Sequence, residues 1–189
     1  GRSHDDGGEL RWNMFLWHDK WVYETLPGGQ IESGPTLNDD GSLVMQGTFS
    51  AREQSPPVKY AYRIQPTDEG VHVRCPLEKT APLTLPNGVW LHLGGTQDRF
   101  QGTERVWLPP SSHGSIATAP ATMADRFIVE LRDGRSLCLD LPGFRKVEQE
   151  GSQDRHLFRV NLLRGDFEPA EKPVLEYTIS FAGMPERFP

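Results

Sequence analysis

The stretch Arg126-Phe-Ile-Val-Glu-Leu-Arg-Asp-Gly-Arg-Ser-Leu-Cys-Leu-Asp-Leu141 constrains this chain more than any other. Apolar and polar residues alternate on both sides of Asp133-Gly134, the pattern of a β-hairpin. Its register can be read as well. A two-residue Asp-Gly loop pairs Leu131 with Ser136 and Phe127 with Asp140, mixing apolar with polar on one face. A three-residue loop, Arg132-Asp133-Gly134, pairs Val129 with Leu137 and Phe127 with Leu139. Phe127, Val129, Leu131, Leu137, Leu139 and Leu141 then share one face. A slip of one residue turns a whole strand over, so the pattern selects the second register, with Gly134 in the left-handed position of a bulge.

The rest of the chain repeats this style. Leu43–Phe49, Val58–Ile64, Val71–Cys75, Val89–Leu93, Arg105–Leu108, His156–Leu162 and Pro173–Phe181 read as strands separated by Gly, Pro, Asn and Asp. In Val58–Ile64, Val58, Tyr60, Tyr62 and Ile64 fall on one face and Lys59 and Arg63 on the other. The chain holds 19 Gly and 16 Pro, which helix interiors tolerate poorly. Turn signals at roughly ten- to fifteen-residue spacing point to an all-β, antiparallel two-sheet β-sandwich of jelly-roll or super-sandwich type. Leu10–Leu26 fits both helical and strand spacing, and its aromatic and β-branched content favours extended structure or one short helix. Residues 109–123 form the longest stretch without a strand pattern, which marks a functional or mobile loop.

A chain of 189 residues is enough for one domain with a substantial core. Residues 1–8 are polar and Gly-rich and are expected to be a disordered or appended N-terminus; residues 9–189 are expected to form a single β-sandwich domain. The start Gly-Arg-Ser-His, without Met, suggests a domain excised from a longer protein. The net charge is −6 and no block of Lys and Arg occurs, so neither nucleic acid nor an anionic membrane surface is an expected partner. No apolar run approaches the roughly 18 residues a spanning helix needs. Cys75 and Cys138 both fall in alternating apolar runs. They read as small buried residues, or alternatively as one disulfide closing a loop of about 60 residues and worth roughly 4 kcal/mol.

Motifs for chemistry are sparse. The six histidines form no metal-ligating spacing, and His72 and His92 lie opposite the apolar alternation, on the expected solvent side. Asn38-Asp39-Asp40-Gly41 could offer oxygens to Ca²⁺, but a tight turn requires the same residues and accounts for them better. No cofactor is otherwise implied. There is no G-x-S-x-G elbow, and the 26 acidic residues sit mostly at turns or on polar faces, so no catalytic residue is assigned.

The aromatic residues are the remaining signal. Five Trp are many for this length: Trp12, Trp17 and Trp21 cluster, while Trp90 and Trp107 lie in strands. An exposed indole can stack on the apolar face of a sugar ring, although the common role of Trp is to fill a core. Trp90 shares its face with His92, which leaves either exposure or a second buried face. These five residues are the candidate carbohydrate-binding set.

Phe100-Gln-Gly102, Phe127–Leu139, Leu157–Leu162 and Leu175–Phe181, together with the hairpin spanning Val58–Cys75, resemble the large β-sandwich accessory domains of bacterial polysaccharide-degrading enzymes. The resemblance spans about residues 43–181 and carries over no functional residue. It implies an extracellular or periplasmic, glycan-related role beside a glycoside hydrolase catalytic module. The expected function is therefore non-catalytic: a carbohydrate-binding or accessory module of a larger secreted enzyme, its partners a polysaccharide or oligosaccharide and the parent's catalytic module. Two alternatives stay open. One is a glycoside hydrolase or polysaccharide lyase on the same fold; the other is a structural spacer packed on a catalytic module.

Overall fold

Alternation of apolar and polar residues becomes strand structure along the whole of this protein. The computed structural model describes residues 2–5, 8–19, 22–25, 30–49, 58–81, 84–96, 104–108, 112–114, 121–130, 136–152 and 155–180. Among these are fourteen strands and no helix. They are β1 (Arg2–Asp5), β2 (Gly8–Asp19), β3 (Val22–Thr25), β4 (Gln30–Leu37), β5 (Leu43–Phe49), β6 (Val58–Thr67), β7 (Gly70–Lys79), β8 (Val89–Thr96), β9 (Glu104–Leu108), β10 (Ser112–Gly114), β11 (Ala121–Glu130), β12 (Ser136–Ser152), β13 (Arg155–Leu163) and β14 (Val174–Ser180).

Hydrogen bonding joins ten of them in one antiparallel path, β1-β2-β8-β13-β12-β14-β7-β6-β5-β4, which does not close on itself. The all-β, antiparallel class is therefore as expected, and the ladders are continuous along one path. The reason is β12. Its 17 residues are long enough to serve both halves of the path. Cys138–Asp140 pair with β14, while Val147–Ser152 pair with β13.

β11 runs along the other edge of β12, and its register is the one the hydrophobic pattern selects: Phe127 pairs with Leu139 and Val129 with Leu137. Leu137, Leu139 and Leu141 are buried. The turn itself, with Gly134, lies outside the described residues. Further along, the ladder is interrupted. Arg126 pairs with Asp140 and Ala124 with Arg145, so residues 141–144 stand opposite Asp125 alone. Pro142 cannot donate to a ladder, and Gly143 has φ +103°, a conformation open to Gly at little cost. A bulge of this kind bends a strand and re-aims the residues that follow it, here Arg145 and Lys146.

The core draws on both halves of the path. Met14, Leu16, Val89, Leu91, Val147 and Val160 from one half join Phe49, Val58, Tyr60, Val73, Leu77 and Tyr177 from the other in one buried cluster. Tyr62 and Tyr177 satisfy each other through their hydroxyls at 2.8 Å. Both cysteines are free and buried, and burial pushes the Cys75 and Cys138 thiols up to about 12. The disulfide alternative is excluded.

Other expectations shift in detail. Leu10–Leu26 is extended where described, as β2 and β3. The stretch 109–123 is not wholly loop: β10 pairs with β9, and β11 begins at Ala121. Arg2–Asp5, within the N-terminal segment 1–8, pairs with β2 as β1. The Asn38–Gly41 cluster is a turn, with the Gly41 amide donating to the Asn38 carbonyl at 2.9 Å. The Asp40 carboxylate accepts from the Ser42 hydroxyl and amide and from Arg63. Those hydrogen bonds from Ser42, with smaller help from Arg63, hold the Asp40 carboxyl below its usual range.

Candidate functional site

One face of the β12-β13-β8-β2 segment packs on the core, and alternation sends the next residues to the opposite face. In register, Val147 pairs with Val160, Val160 with Leu91 and Leu91 with Met14; all four are buried in the core cluster. The neighbouring row therefore points the other way. It runs from Met123 of β11 to Lys146 of β12, then to Asn161 of β13 and Trp90 of β8, whose backbone partner in β2 is Phe15. Met123, Lys146, Asn161 and Trp90 line a cavity of about 950 Å³. Arg145, Asn87 and the β13 exit at Arg164 and Gly165 also line it.

Two features fix this wall. Gly88 has φ +70°, and a Cβ there would come within 1.9 Å of the Leu163 carbonyl oxygen. Only glycine lets the Asn87-Gly88 turn lie so close to the end of β13. The turn then aims the Asn87 carbonyl at two donors, the Trp90 indole N–H at 2.6 Å and the Asn161 amide at 3.4 Å. Asn161 also donates to the Leu163 carbonyl at 3.2 Å, across the bulge between Asn161 and Leu163. Beyond Gly165, the chain is fastened by buried Phe167 and by the ion pair between Asp166 and buried Lys79. Burial alone pushes the Asp166 carboxyl up. The Lys79 and Phe167 hydrogen bonds outweigh it and leave the carboxyl below its usual value.

Trp90 is only 6 % exposed, so its ring lies on a second covered face. The Lys146 ammonium stands 5.9 Å from the ring centroid, at the limit of cation–π reach. Lys146 also pairs with Glu148, and Arg159 meets Glu148 at 3.5 Å. Glu148, Arg159 and His92 form the next row on this face. The sequence placed His92 on the solvent side; it is on the face opposite the core, as alternation requires, but it is half-buried. Burial first, and the Arg159 charge second, lower its pKa to about 4. At neutral pH the imidazole is uncharged. His72 instead meets Glu176 at 2.8 Å on the other half of the path.

Of the five tryptophans read from the sequence, Trp90 is thus a wall of the cavity. Trp12 pairs through its backbone with Leu93, Trp17 with Tyr23 and Trp107 with His113. Their side chains, and Trp21 altogether, lie outside the described residues. Sequence reading missed Asn87, Arg145, Lys146, Asn161 and Arg164. Asn87 stands in Pro86-Asn-Gly88, a local turn signature, but nothing local marks the others, because cross-strand register and a bulge bring them together. Among the described residues, no group of three His, Cys, Asp or Glu is placed to hold a metal. Chemically, this wall offers cationic side chains and the exposed Asn87 amide, an arrangement suited to binding oxygen-rich ligands.

No family model and no curated protein matches the sequence. Solved structures do. A 4-α-glucanotransferase from Thermococcus litoralis superposes with a TM-score of 0.50 at 14 % identity, covering 90 % of this chain and 27 % of that one. A galactose mutarotase-like protein from Lactobacillus casei ATCC 334 gives 0.52 at 8 % identity, covering 91 % and 84 %. The fold is one that sugar-related proteins use. The chain spans about a quarter of the glucanotransferase's length and most of the mutarotase-like protein's. At these identities the likeness is one of fold.

Proposed function

We propose that this protein is a carbohydrate-binding accessory domain, a two-sheet sandwich in overall plan, serving a larger secreted glycan-acting protein. The observation that carries the reading is the cavity built on the Trp90 row. It sets Arg145, Lys146 and Arg164 and the exposed Asn87 amide around a hollow on the face turned away from the core. Saccharides ask for clustered hydrogen-bond donors of this kind. The sugar-related names of the structural neighbours support the same class of ligand. The proposed partners are a polysaccharide or oligosaccharide and a catalytic module of the parent protein, in an extracellular or periplasmic setting.

Calorimetry of the purified chain against soluble glucans, galactans and uronans tests this. The expected result is saturable binding of at least one glycan, weakened tenfold or more by Asn87→Ala in a protein that remains folded. A folded protein that binds none of them overturns the reading. A structural spacer is the second reading, favoured by the burial of Trp90 and the satisfied indole N–H. It predicts no glycan binding and a loss of the parent protein's stability when the domain is deleted.

A further inference from the structure

The charge of the cavity is at odds with the charge of the chain. The protein carries 26 acidic residues against 20 Lys and Arg, a net −6. Yet Arg145, Lys146 and Arg164 all line the cavity, and among the described residues no Asp or Glu does. The three cations come from two separate places, the stretch of β12 just past its bulge and the exit of β13. No single local charge run explains them. Glu148 meets Lys146 from the neighbouring row but is not part of the cavity lining. Asn87 and Asn161 line the same cavity.

We infer that the cavity takes an anionic saccharide, a sugar bearing carboxylate or sulfate groups, and this rests on the carbohydrate-binding reading above. Arg145 and Arg164 would hold the acidic groups, since a guanidinium fork matches both carboxylate and sulfate with paired hydrogen bonds. Lys146, paired with Glu148, adds its charge to the same wall, and the exposed Asn87 amide meets the sugar hydroxyls. The acidic remainder of the molecule disfavours anions elsewhere, so binding concentrates at this one cavity.

Titration of the whole chain with trigalacturonate, a sulfated galactan oligosaccharide, maltotriose and a triglutamate peptide tests the proposal. The expected result is that at least one of the two acidic saccharides binds tenfold or more tighter than both maltotriose and the peptide. Raising NaCl from low to ~0.5 M should weaken that binding about tenfold, because screening acts on exposed charges. Arg164→Gln and Arg145→Gln should each lower the affinity for the acidic saccharide at least fivefold, with circular dichroism unchanged. Binding of maltotriose without preference for acid overturns this inference and leaves the carbohydrate reading standing. Equal binding of triglutamate shows that charge alone is read, and overturns the saccharide assignment. Tight acidic-saccharide binding that both Arg variants retain moves the site elsewhere. Binding of none of the four overturns both readings.

Discussion

Single residues set the tolerances of the cavity wall. Gly88 combines a left-handed φ with a backbone approach that leaves no room for a Cβ. Gly88→Ala is expected to destabilise the protein by about 3 kcal/mol or more, since both strain and displacement of the Leu163 carbonyl are forced. Gly165 is the control: its φ is +74°, but nothing lies within 4 Å of where a Cβ would stand. Gly165→Ala should cost only about 1 kcal/mol. Urea unfolding of the two variants checks the contrast. His92 gives a second prediction. Its pKa falls from an ordinary 6.5 to about 4 on folding, chiefly through burial. As pH drops below about 6.5 the unfolded chain takes up the proton and the folded chain does not, so stability is lost between about 6.5 and 4. The loss amounts to about 3 kcal/mol once both states are protonated. Denaturant midpoints measured from pH 7 to 4 should show a fall that His92→Gln flattens.

Strands differ in how much they carry. β12 is flanked on both edges, by β11 on one and by β14 and then β13 on the other. Leu139, paired with Phe127 on one edge and Ile179 on the other, is fully buried. Leu139→Ala should cost about 3 kcal/mol, through lost transfer energy and the cavity left behind. β4 ends the path, and its Leu37 is 71 % exposed. Leu37→Ala should stay within about 0.5 kcal/mol. Thermal or chemical denaturation of the pair tests whether path position governs stability. The element scale is also where sequence reading succeeded best. The β11–β12 register followed from where Phe127, Val129, Leu137 and Leu139 fall, because a buried face penalises every slip by one residue. The four-residue bulge at 141–144 left no comparable trace. A Pro-Gly pair announces an irregularity, but its size depends on how both partner strands bend.

At the scale of the whole molecule, no covalent crosslink between the described cysteines stabilises the fold. Cys75 and Cys138 lie in the apolar interior as free thiols held at about 12 by burial. A reductant should therefore leave the melting temperature unchanged. Ellman's reagent should label neither thiol in the native protein, and both in denaturant. A reductant-sensitive melting temperature would contradict the structure. The single core that links both halves of the path makes unfolding one cooperative transition, which coincident fluorescence and circular dichroism curves would show.

Local alternation determined the class, the strand positions, the principal hairpin register and the burial of both cysteines, because each depends on residues near in sequence facing one apolar side. It also put Trp90 and His92 on a common face. What alternation left undecided was whether that face is wet. The tertiary structure decided it: the turn at Asn87-Gly88 and the exit of β13 close over the Trp90 row, burying the ring and drawing Asn161, Lys146, Arg145 and Arg164 around it. Those residues come from segments that are distant in sequence. Cross-strand pairing and a bulge bring them together, and neither is a property of any one strand.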